Sequence, residues 1–145
     1  MADLYPDIGV GDVLTSLTEA ETEILSLTAA SAITKGDPVY LTADMQAAPA
    51  TSAQNCIGIA LKTVNAGEQC PVLLKGIVKV VAGGAISRGQ AVYGADASKR
   101  VLALADQPVN EGGTATYTIY YARKLGIALQ NFAAAGDAGL IYVCK

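Results

Sequence analysis

Apolar and polar positions alternate along most of this 145-residue chain. A period of two puts successive side chains on opposite faces and marks short strands. Bounded by Gly, Pro, Asn and Asp, the predicted strands are Glu23 to Thr28, Pro38 to Thr42, Ile57 to Thr63, Gln69 to Lys75, Ile77 to Val81, Ala91 to Gly94, Val101 to Leu104, Thr114 to Tyr121, Leu125 to Leu129 and Leu140 to Cys144. The intervals leave little room for crossover helices. The expected fold class is therefore all-β, a single small antiparallel β-barrel or sandwich with little or no helix. Residues 1–20 break the alternation: Gly9, Gly11, Pro6 and scattered apolar positions fit an extended N-terminal arm ahead of a β-rich domain at 21–145. A short helix from Val10 to Glu19 is the alternative, weakened by the two glycines.

Within the β-rich part the chain repeats itself. ITKGDPVYL at 33–41 returns 53 positions later (86 minus 33) as ISRGQAVYG at 86–94. CIGIALKTVNAGEQCPVLL, from Cys56 to Leu74, parallels KLGIALQNFAAAGDAGLIYV, from Lys124 to Val143. Two half-motifs, 33–74 and 86–143, each run Gly turn, Val-Tyr strand, Gly-Ile-Ala-Leu strand, Ala-Gly-acid turn and apolar strand. PVNEGGTATYT is expected to hold the excursion, about 15 residues, that lengthens the second. Independent reuse of the same turn chemistry is the alternative; matched order and spacing favour duplicated scaffolding.

Composition supports a folded core. Apolar residues make up 52% and charged ones 16%, and a chain of this length buries about 68–70% of its extended surface. The longest apolar run, GIVKVVAGGAI, is broken by Lys79 and falls short of the roughly 18 residues of a membrane-spanning helix. MADLYPDIG is acidic, the wrong charge for a leader, so the reading is a soluble protein made in the cytoplasm, with no membrane partner.

Charge is uneven. Asp3, Asp7, Asp12, Glu19, Glu21 and Glu23 precede the first base, Lys35, so the first 34 residues carry −6 and the rest +3, summing to the net −3. Without a Lys/Arg cluster, nucleic acid is not an expected partner; a basic protein surface suits the acidic end better. The candidate docking arm is Asp3, Leu4, Tyr5, Asp7, Asp12, Glu19, Glu21 and Glu23, although the alternating glutamates also fit a solvated strand face. Tyr117, Tyr120 and Tyr121 form an aromatic cluster that fits core packing or a subunit interface.

Catalytic candidates are scarce. With no histidine, Ser-His-Asp and Cys-His arrangements and most zinc sites are excluded. Cys56, Cys70 and Cys144 show no CxxC spacing and read as small buried thiols; Cys56 and Cys70 fall at opposite ends of a predicted hairpin, too far apart to bridge, while a Cys56–Cys144 pairing stays open. VVAGGAISRGQ, at 80–90, lacks the ending of a phosphate loop and a following helix. Lys99-Arg100 and Arg123-Lys124 read as turn and edge-strand charges. No catalytic residue, cofactor or metal is expected.

The order of these motifs, AITKGDPVYL and AISRGQAVYG, each followed by GIAL, an Ala-Gly-acid turn and an apolar strand, resembles the capsid decoration, or cement, proteins of tailed bacteriophages, formerly a domain of unknown function. The resemblance spans roughly residues 23–145; KGIVKVVAGGAISRGQAVYGADASKRV looks like the family's central segment. Gln90 departs from it where Asp37 stands in the first copy, and residues 1–20 and 105–118 lie outside it. It implies a non-enzymatic virion protein, a homo-oligomer with a trimer favoured. Its partner would be the phage major capsid protein on the outer capsid surface, where it stabilises the mature shell. The alternatives are another virion component, such as a tail-tube or head-tail joining protein, and a small carboxylate-using enzyme.

Overall fold

Alternation becomes strands in the computed structural model, which describes residues 5–14, 22–105, 107–111, 114–118 and 123–144. In chain order these are β1 (Glu23–Ala29), β2 (Pro38–Ala43), β3 (Gln46–Pro49), β4 (Cys56–Ala60), β5 (Gln69–Val81), β6 (Ala91–Gly94), β7 (Val101–Ala103), β8 (Gln107–Glu111), β9 (Thr114–Thr118), β10 (Lys124–Ala128) and β11 (Ala138–Cys144). No α-helix occurs among the described residues. The protein is all-β, as its alternation predicts, and built on a closed five-strand barrel.

Nine strands form one sheet in the order β1-β3-β2-β4-β5-β11-β10-β6-β7, and β1 also pairs with β5, which closes the barrel. Closure needs the parallel contact of β1 with β3, Ala29 opposite Ala47; the other pairings are antiparallel. β5 is read from sequence as two strands split at Gly76. It is instead one 13-residue strand, because Gly76 takes a φ of 143° that keeps the chain extended through its turn of direction.

That long strand is shared by two units of one design. Its first half, with β1 to β4, makes the first unit. Its second half continues into the second unit with β6, β7, β10 and β11, where Val81 pairs with Ala138 and a parallel bridge joins Ala82 to Val101. Hydrogen bonds repeat between the units. The Gly36 amide donates to the Ala60 carbonyl at 2.8 Å and that of Gly89 to Ala128 at 2.7 Å; the Gly67 amide donates to Ala29 and that of Gly136 to Ala82, each at 2.8 Å. In the repeated phrase, the acceptor after each glycine closes its own turn: Asp37 Oδ2 takes the Thr34 amide at 2.9 Å and Gln90 Oε1 the Ser87 amide at 3.1 Å. A carboxylate and an amide oxygen do the same work here, which explains the Asp-to-Gln difference between copies.

The Val-Tyr pair that follows meets the same irregularity in both units. Val39 lies opposite Gly58 and Tyr40 opposite Cys56, so Ile57 bulges; Val92 lies opposite Gly126 and Tyr93 opposite Lys124, so Leu125 bulges. Gly58 and Gly126 are required there by close approach: a Cβ on either would run into a backbone carbonyl, of Leu73 and of Tyr142 respectively. The interiors match as well. Leu27, Ala29, Ile33, Val39, Ala60, Val64 and Val72 fill the first unit, while Val80, Ala82, Ile86, Val92, Ala128, Phe132 and Ile141 fill the second.

β3 and β8 are absent from the predicted strands. Residues 46–49 read QAAP, poor in β-branched side chains, and are held extended by barrel closure rather than by propensity. β8 pairs with β9 as a separate two-stranded hairpin, Gln107 opposite Thr118 and Glu111 opposite Thr114, within the excursion expected inside the second half. Cys56, Cys70 and Cys144 are all free thiols, so the Cys56–Cys144 pairing does not form.

Candidate docking surfaces

Residues 5–14 of the acidic N-terminal stretch lie on the second half of β5. They form two turns rather than a free extended arm or a helix, the Ile8 amide donating to Tyr5 at 3.1 Å and the Asp12 amide to Gly9 at 3.0 Å. Beyond the turns the chain adds to the edge of β5. The Gly11 amide donates to Lys79 at 2.8 Å, the Leu14 amide to Ile77 at 2.9 Å, and Val13 bridges Val78. Leu14, Ile77 and Leu140 bury one another, with Tyr5, Ile8 and Tyr142 packed around them. Burying each of the larger side chains stabilises this contact by about 1.5–3 kcal/mol.

Lys79, which interrupts the apolar run of β5, is the anchor. It is only 4% exposed, and its ammonium donates to the carbonyls of Tyr5 at 2.9 Å and Ile8 at 2.8 Å. A buried ammonium is tolerated only with such acceptors. Its signal in the sequence was the lone charge in GIVKVV; what could not be read was the turn that would meet it 71 to 74 residues away.

The acidic candidates separate accordingly. Tyr5 is half-buried against the β5 face and Asp7 is exposed. Asp12 forms an ion pair with Lys35, and that hydrogen bond, with one from the Gly9 amide, holds its carboxyl below the usual range. Glu23 is exposed at the start of β1. Asp3, Leu4, Glu19 and Glu21 lie outside the described residues, as do Tyr120 and Tyr121. Tyr117 falls in β9.

The basic pair Lys99-Arg100 is structural. Arg100 Nε donates to Asp96 Oδ2 at 2.9 Å, and Lys99 approaches Asp37 at 3.6 Å, tying the β6–β7 turn to the first unit. Burial pushes the Asp96 carboxyl up, but hydrogen bonds from the Arg100 amide, the Arg100 guanidinium and the Ser98 amide outweigh it and hold the group low. Gly83, in the glycine-rich stretch 80–90, packs against that same carboxylate, an unfavourable neighbour for a phosphate.

A second surface lies at one end of the first unit. Glu23, Ile57, Leu74, Lys75 and Cys144 line a hollow of about 590 Å³. Ile57 is shared with an adjoining hollow of about 640 Å³ edged by Tyr40, Leu41, Gln54 and Arg123. Leu41 is 48% exposed, and Gln54 Oε1 is buried without a hydrogen-bond partner. Among the described residues no group of three or more His, Cys, Asp or Glu side chains is placed to hold a metal. Burial raises the Cys70 thiol above its ordinary range, opposite to what a nucleophile needs.

Comparison with known proteins gives a consistent result. The sequence profile of the family described as phage cement protein matches residues 20–143. No curated protein matches the chain. Three chains of solved structures do. Among them is the head fiber gp8.5 N base in bacteriophage phi29, 15% identical, covering 86% of this chain and 95% of that one with a TM-score of 0.55. At that identity the likeness is one of fold.

Proposed function

Because the chain belongs to the phage cement protein family, a family of capsid-associated structural proteins, we propose that it binds the outer surface of the phage capsid as a homo-oligomer, a trimer, and stabilises the mature shell. The family match over residues 20–143 is the observation that carries this reading. The physical means is mass action: a protein that binds only the assembled lattice stabilises it, and copies bridging neighbouring subunits make separation harder.

The acidic N-terminal stretch supplies the docking. Asp7 and Glu23 are exposed and, with Asp3, Glu19 and Glu21, present negative charge to a basic patch on the major capsid protein. Asp12 and Tyr5 take a different part, since their internal contacts hold the stretch in place. Deleting residues 1–20 would strip the apolar cover from Ile77 and Leu140, so charge neutralisation is the cleaner test. A variant with Asp3, Asp7, Glu19 and Glu21 all changed to their amides is expected to fold normally and to lose co-sedimentation with undecorated shells. Unchanged binding would remove this role from the acids.

A further inference from the structure

The contact between the two units has an unfilled counterpart at the far end of the molecule. At one end of the second unit, Val78, Leu125 and Val143 are completely buried, because the outer wall of the first unit, Cys56, Ile59 and Leu73, closes over them in one core. Cys56 donates its thiol hydrogen to the Gly94 carbonyl at 3.3 Å, and the Ala95 amide donates to Ser52 at 2.9 Å. Pro38 and Cys56 sit so close to Gly94 that a side chain there would collide with them.

The equivalent positions in the first unit are Leu25, Leu41, Ile57 and Leu74. Here no described wall closes the end: Leu41 is 48% exposed and the other three are half-buried, with Leu41, Ile57 and Leu74 lining the two hollows that meet at Ile57.

We propose that a second copy of this chain closes this end, its second unit using the wall that the first unit uses internally. The wall positions matching Pro38, Cys56, Ile59 and Leu73 are Ala91, Lys124, Ile127 and Tyr142, all half-buried rather than sealed, Tyr142 with part of its ring against the cluster under residues 5–14. The marked change of character is at the Cys56 position, where Lys124 stands; its ammonium meets the Leu41 carbonyl as the thiol meets that of Gly94, beside a hollow that carries the Glu23 carboxylate together with Lys75. Gln54 Oε1, buried without a partner, lines the same end and gains a donor when the neighbour arrives. Because two different patches meet, the contact is head-to-tail, and in the trimer proposed above it makes a ring rather than a two-fold pair.

This inference names the surface for the homo-oligomer proposed above and rests on that part of it. The test uses the full chain with Leu41→Glu and Ile127→Glu, followed by sedimentation velocity, with circular dichroism as the folding control. Each variant alone is expected to weaken self-association by on the order of 30-fold or more. An equimolar mixture is expected to form dimers, since one variant retains an intact wall and the other an intact open end. Glu23→Lys is expected to weaken association and to be rescued by Lys124→Glu. Wild-type oligomers that survive both single variants, or a mixture that stays monomeric, would overturn the assignment. So would a monomeric wild type whose binding to capsid shells is lost in Leu41→Glu, which would place a capsid subunit at this end. Shell co-sedimentation of the wild type decides the functional reading separately.

Discussion

The first and second units share their strand order, their turn hydrogen bonds and the bulge opposite Val-Tyr, but not what covers them. On β1 the outward positions are Ile24, 54% exposed, and Ser26; their counterparts on β5 are Ile77, 9% exposed, and Lys79, 4% exposed, lying under residues 5–14. At the unit end the relation is the same, with Leu41 open where Gly94 is sealed. Duplication carries the fold, whereas burial of the outer faces depends on neighbours that the second unit has within the chain and the first unit lacks among the described residues.

The most damaging way to probe the shared part is Gly58→Ala beside Gly126→Ala. Each Cβ would enter a backbone carbonyl that cannot move without breaking the ladder, so each variant is expected to lose about 3 kcal/mol or more in denaturant unfolding. Tolerance at one glycine alone would break the equivalence of the units. Next comes Lys79→Ala against Ser26→Ala. Stripping the ammonium from two half-buried carbonyls is expected to cost about 2–3 kcal/mol and to expose residues 5–14 to limited proteolysis, while Ser26→Ala costs less than about 0.5 kcal/mol.

Acid also separates the two units. Asp96 is held below its ordinary value, and the matching residue of the first unit is Ala43. A depressed carboxyl adds stability that is present above the unfolded value, about 3.9, and is lost as pH falls through the lower folded value. Asp96→Asn is therefore expected to cost about 1 kcal/mol at neutral pH and almost nothing near the acid end, as measured by unfolding across pH. Smallest of all, Gln90→Glu keeps an acceptor for the Ser87 amide and is expected to change stability by less than about 0.5 kcal/mol; a larger loss would show that the two turn acceptors are not interchangeable.

Much of this architecture is legible in the sequence because it is local. Alternation marks β1, β2, β6 and β11, and the phrases around Gly36 and Gly89 announce turns whose hydrogen bonds depend on nearby residues. What hides is long-range. β3 is extended only because β1 needs a parallel neighbour, and GIAL shows its glycine without showing the Leu73 or Tyr142 carbonyl that demands it. The acidic composition of the N-terminal stretch was visible, but not that Lys79 would fix residues 5–14 in place, since a single Lys in an apolar strand also fits an exposed edge. The open end of the first unit emerges only from comparing burial between units, information that no residue pattern holds.

Strengthening of an assembled shell by this protein is read from the temperature at which DNA-filled capsids lacking it release their contents, followed by dye access as the purified chain is titrated in. Saturable binding is expected, with a rise in that temperature that levels off when the sites are full. Saturable binding with no change in the release temperature, or no binding to shells at all, would contradict it.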